Sequence, residues 1–301
     1  MLIEKLMRID RRIVFSLIGM AVIIPLLFPI GLPIHISKPV QDTFNAVDSI
    51  PPNGPTLLLS VDYAPATMPE LHPMTLAILR HCFLRNIRVI LMTLHQAAPG
   101  LIEMAITKVA SEHNKERGKD YAFLGFKPGL GAVVLAIGED IHRTFPTDYY
   151  GAEIDKIPMM KDVHNYEDIA LVITLAGWAA PELWMMYAKS RYQQDVAAGV
   201  TAVSAADYYP FLQTKQLVGL LGGMKGAAEY EELVNSLAKE IGEDVQRKKS
   251  MNNQEYEDFL ISYGKAGVGM DAQSISHIVI ILLIILGNVI FFTAKTKSKE
   301  T

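Results

Sequence analysis

From Asn53 onward the chain alternates two apolar patterns. Short runs with little polar interruption predict strands: TLLLSVD (56–62), RVILMTL (88–94), YAFLGF (121–126), IALVITLAG (169–177) and GVTAVSA (199–205). Such continuous runs are expected where both faces of a strand are covered, as in parallel sheets. The stretches between them, MPELHPMTLAILRHCFLRN (68–86), GLIEMAITKVASEHN (100–114), GAVVLAIGEDIHRTF (131–145) and PELWMMYAKSRYQQ (181–194), predict helices. Strand and helix in steady alternation predict an α/β fold. The expectation is a doubly wound, Rossmann- or flavodoxin-like, mostly parallel sheet of five strands in the order 2-1-3-4-5. Residues 146–168 form an insertion before the fourth strand. Residues 211–274 read as a helical extension, broken near Gly222 and Gly223.

Two segments depart from this pattern. Residues 13–34 carry no charge over 22 residues, and residues 275–294 none over 20. About 20 apolar residues in a helix cross a hydrocarbon core about 30 Å thick. Both segments therefore predict transmembrane helices. Pro25, Pro29 and Pro33 crowd the far end of the first and predict an early helix end there. The first reads as an uncleaved anchor, because its apolar run exceeds that of a signal peptide and no small-x-small site follows. Lys5, Arg8, Arg11 and Arg12 precede the first segment, and Lys295, Lys297 and Lys299 follow the second. The positive-inside rule then places residues 1–12 and 295–301 in the cytoplasm of a plasma-membrane protein, and residues 35–274 outside it.

That outer domain carries 21 basic and 29 acidic side chains, a net of −8. An acidic domain is a poor partner for nucleic acid. The single cysteine, Cys82, sits in a helical apolar pattern and reads as a buried thiol.

Candidate chemistry gathers where strands run into helices, because sheets of this kind bind ligands at the carboxyl ends of their strands. Asp62 ends the first strand, His95 follows the second and Trp178 the fourth. Asp207 lies beyond the fifth. Lys127, Gly129 and Gly131 belong to GFKPGLG after the third strand. In the order 2-1-3-4-5, Lys127 would stand beside Asp62. Glycines before a helix can cradle an anion on backbone N–H groups. This turn is neither GxxxxGK[ST] nor GxGxxG, however, and Pro128 has no N–H to give. A plain βα turn is its competing reading. These seven residues form the candidate ligand site, with no cofactor and no metal assigned. No GxSxG, HExxH or CxxC occurs.

In three loops a proline (Pro69, Pro99, Pro181) falls where the next helix should start. The small residues of LVGLLGGMKGAAEYEEL suggest a close helix contact or an oligomer interface at Gly219–Gly226. The expected function is a membrane-anchored scaffold or assembly subunit. Its expected partners are the bilayer and either a second copy or another membrane protein. The alternative is a membrane-tethered ligand-binding or hydrolytic enzyme working at the carboxyl edge.

Overall fold

The computed structural model describes residues 10–28, 30–247 and 265–297. It divides into two compact units: Ile34–Gly264, and the terminal segments Met1–Pro33 with Lys265–Thr301. Lys5, Arg8, Pro29, Lys299 and residues 248–264 of the expected helical extension lie outside the described residues.

The larger unit is α/β. Its strands are β1 (Thr56–Asp62), β2 (Val89–Thr93), β3 (Tyr121–Phe126), β4 (Ile169–Ala176), β5 (Val196–Val200) and β6 (Gly219–Gly222). All six pair in parallel, in the order β3-β2-β1-β4-β5-β6. This corrects two expectations, the strand count and the strand order. The missed strand is β6, whose GLLG lies in the run read as helical. Its four residues are bounded by glycines and carry no β-branched side chain, so nothing local marks them as a strand. The fifth strand also begins earlier than expected, at Val196. Thr201 to Ser204 turn away toward the next helix.

Every residue of β1 and β2 is buried. The sheet is flanked by helices, which explains the uninterrupted apolar runs. Leu58, Ile90, Met92, Val172 and Ala198 face one core, with Val134 and Ile137 of the helix Gly131–Glu139 and Trp184. Each fully buried Leu, Ile, Val or Met among them contributes about 1.5–3 kcal/mol. Pro69, Pro99 and Pro181 do sit in the first turn of their helices.

Both sheet edges are covered, which removes unpaired ladders that would otherwise recruit another strand. At the β3 edge the insertion folds back. Tyr149 N–H donates to the Phe123 carbonyl at 2.8 Å, and their rings lie 4.5 Å apart. Asp148 accepts from the N–H groups of Tyr150 and Ala152, and Arg117 lies 4.2 Å from the Tyr150 ring. At the β6 edge the helix Lys38–Asp48 lies against the strand. A Cβ on Gly219 would stand 2.1 Å from Thr43 Oγ1 and 2.7 Å from Thr43 N.

In the terminal unit, the helix Arg11–Leu27 has 17 residues and contains Pro25. At 1.5 Å per residue it is about 26 Å long, short of a hydrocarbon core of about 30 Å. Residues 30–37 are not helical, so the expected span 13–34 is not one helix. Among the described residues, one helical stretch is long and apolar enough to cross a membrane, Gly269–Thr293, with mean hydropathy 2.7. Near its start the buried Asp271 accepts the consecutive N–H groups of Ile30, Gly31 and Leu32 at 3.1, 2.8 and 3.2 Å. Those amides have left the helix ladder and need acceptors, and one carboxylate supplies them.

The β6 edge yields a prediction. Gly219→Ala forces a methyl to 2.7 and 2.8 Å from the N and Cα of Thr43, a clash that rotating the Thr43 side chain cannot relieve. Chemical denaturation should show a loss of about 2–3 kcal/mol. An unchanged midpoint would mean that this helix does not seal the edge.

Candidate functional site

Asp62 is the charged residue of β1, and it is fully buried. Because β1 lies between β2 and β4, its carboxylate sits at the centre of the carboxyl edge. Four donors surround it. Leu94 N–H and Thr93 Oγ1 donate to Oδ1 at 2.6 and 3.2 Å. Ser60 Oγ and Thr174 Oγ1 donate to Oδ2 at 2.6 and 3.5 Å. These partners come from β1, the end of β2 and β4. The carboxylate therefore ties three strands together. Burial raises its pKa from 3.8 to about 6, against the opposing pull of Ser60, Leu94, Thr93 and Thr174.

The glycine-rich turn is set by backbone and packing. Gly125 and Gly129 have φ of +82° and +128°. Gly131 opens the next helix, where a Cβ would lie 2.3 Å from the Tyr187 ring. Two turns on, a Cβ at Gly138 would lie 2.4 Å from the Tyr192 ring. The glycines thus let this helix seat against Ala180–Tyr192. Tyr187 projects from a π-helical turn, Met185–Lys189, within that segment. Leu130 between the glycines also has positive φ, +48°, yet its side chain is 47% exposed.

The other candidates disperse. β2 separates Lys127 from Asp62, so the expected pairing is overturned by the strand order. Lys127 Nζ instead lies 5.7 Å from the Phe145 ring, and its N–H donates to the Thr93 carbonyl. The His95 ring accepts Ala97 N–H at 3.2 Å within its own loop. Asp207 is exposed in the first turn of the helix Ala205–Gln213. Beside it Tyr208 is buried, and burial with the nearby Glu182 and Asp207 charges pushes its pKa up to about 12. Trp178 is half-buried at the end of β4, and its buried Nε1 has no hydrogen-bond partner.

Residues that sequence reasoning missed close the crevice between β1 and β4, where the strand order reverses. A Cβ on Gly177 would lie 2.8 Å from Thr67 Oγ1, so the loops after β1 and β4 touch. Glu70 accepts Ala202 N–H at 2.7 Å, which pins the loop after β5. Its place in the first helical turn was visible in sequence, but its partner 132 residues away was not. The centre of the edge holds one saturated carboxylate under close-packed loops, and the exposed apolar Leu130 and Val203 stand two strands away on either side. Among the described residues, no cluster of three or more His, Cys, Asp or Glu could hold a metal ion. Comparison with family models, with curated proteins and with solved structures gives no match.

The raised pKa gives a pH prediction. The folded value of about 6 exceeds the ordinary 3.8, so the protonated carboxyl stabilises the fold fully below about pH 4. That contribution, about 3 kcal/mol, is lost as pH rises through 6. Asp62→Asn keeps the shape without the charge. Denaturant titrations from pH 4 to 8 should show wild type weakening relative to the variant across pH 4–6. Parallel curves would contradict a buried, desolvated Asp62.

Proposed function

We propose that this chain is a membrane-anchored assembly subunit. Its Rossmann-like domain is doubly wound, with helices on both faces of the sheet. The carboxyl-edge loops of that domain dock a neighbouring membrane protein, a second copy being the first candidate. The observation that carries this reading is Leu130. A bulky side chain at φ +48° and ψ −119° is strained, and glycine would fit there at lower cost. The strained residue nevertheless presents an apolar side chain to solvent. In the loop after β5, at the same edge, Val203 is 88% exposed. Strain retained at an exposed apolar tip is what a contact surface would use. The Gly219–Gly226 run no longer serves as the interface, because Gly219, Gly222, Gly223 and Gly226 are all occupied by contacts within the chain.

The anchor is the helix containing Gly269–Thr293, with the N-terminal segment as its companion. Arg11 and Arg12 on one flank and Lys295 and Lys297 on the other favour cytoplasmic termini and an α/β domain outside the cytoplasm. A reporter fused after Thr301 should be active only in its cytoplasmic form. Activity only on the outer side would reverse the topology.

Photo-crosslinking from position 130 or 203 in intact membranes tests the assembly. A discrete crosslinked species is expected, with a matching mass by light scattering in mild detergent. A strict monomer without crosslinks would overturn the proposal.

One observation favours a second reading. The unpaired Trp178 N–H at the β1/β4 switch point is suited to an acceptor atom of a small ligand. Native mass spectrometry would then show a bound molecule that Trp178→Phe releases.

A further inference from the structure

A cleft of about 720 Å³ opens at the opposite, amino edge of the sheet, beside the starts of β5 and β6. Its volume is that of a small-molecule site. Tyr209, Leu212 and Leu217 give it an apolar wall, and Lys38, Lys189 and Lys215 line it as well.

Two of the lysines are already neutralised. Lys38 pairs with Asp42 at 2.9 Å, and Lys189 with Asp195 at 2.8 Å. Lys215 has no carboxylate partner among the described residues. The cleft therefore holds one uncompensated positive charge beside apolar side chains. Lys215 also follows the helix Ala205–Gln213 in the left-handed conformation, at φ +59°. Glycine or asparagine is the usual residue at such a helix end. The helix dipole would welcome a lysine anywhere in the last turn and does not require it at this strained position.

From these observations we propose that the cleft binds an anionic amphiphile, an apolar chain carrying one carboxylate or phosphate. The headgroup meets Lys215, and the chain lies along Tyr209, Leu212 and Leu217. Two sources share this chemistry: a free fatty acid and an anionic phospholipid. This site is independent of the carboxyl-edge loops and does not rest on the assembly proposal.

The test uses the full chain in phosphatidylcholine nanodiscs, with lysine acetylation read by mass spectrometry. Decanoate should slow acetylation of Lys215 about tenfold, the scale of one charge-assisted contact. It should leave Lys119, whose side chain is 71% exposed, unchanged. Decanol should protect neither lysine. Lys215→Gly should lower decanoate affinity about tenfold with a melting temperature equal to or above wild type. That combination separates a binding role from a structural one. Leu212→Gln should weaken protection of Lys215 without removing any charge. In a second arm, phosphatidylglycerol discs replace added decanoate. Protection there assigns the site to a membrane lipid, and protection by decanoate alone assigns it to a free amphiphile. Unchanged Lys215 acetylation in both arms, or equal protection by decanol, would overturn the proposal.

Discussion

The fold rests on burying β1 completely. All seven of its residues are inaccessible, and Asp62 is the single charged side chain in the six strands. A carboxylate in that position must be hydrogen-bonded or protonated, because an isolated buried charge is very costly. The chain meets this demand with hydroxyls and one amide drawn from β1, β2 and β4. Those donors stand within reach because β1 lies between the other two strands. The strand order and the Asp62 contacts are therefore one constraint. A sheet with β1 beside β3 would instead have set the loop of Lys127 next to Asp62.

The same economy governs the small residues. Gly131 and Gly138 seat tyrosine rings, Gly177 lets the loops after β1 and β4 touch, and Gly219 admits the helix that seals β6. Each trades side-chain volume for a close approach inside the chain. What remains exposed at the carboxyl edge is of another kind: the strained Leu130 after β3, and Val203 on the pinned loop after β5. The opposite edge holds a charged, apolar-walled cleft. The two features lie on different ends of the strands and need not share a ligand.

Much of this was legible in the sequence. The first four strands and their helices follow from uninterrupted apolar runs, and three helix starts follow from their prolines. β6 was not legible, because GLLG between glycines satisfies helix and strand patterns equally. The order of strands was not legible either, since it depends on contacts between residues far apart in the chain. The site was readable only in part. Asp62 stood out as a polar end to an apolar run, but its saturation by Ser60, Thr93 and Thr174 required the fold. The strain at Leu130 and the contact between Glu70 and Ala202 leave no trace in residue type. The first apolar segment read as a full span. Its helix stops at Leu27, two residues past Pro25, and the amides beyond it turn to Asp271.

The protonation of Asp62 tests the central claim most directly. A chain labelled with carboxyl-¹³C aspartate, titrated from pH 4 to 8 with the Asp62→Asn spectrum subtracted, isolates that one carboxyl. The account predicts a midpoint near 6. A midpoint near 4 would contradict a carboxyl whose burial outweighs its four donors.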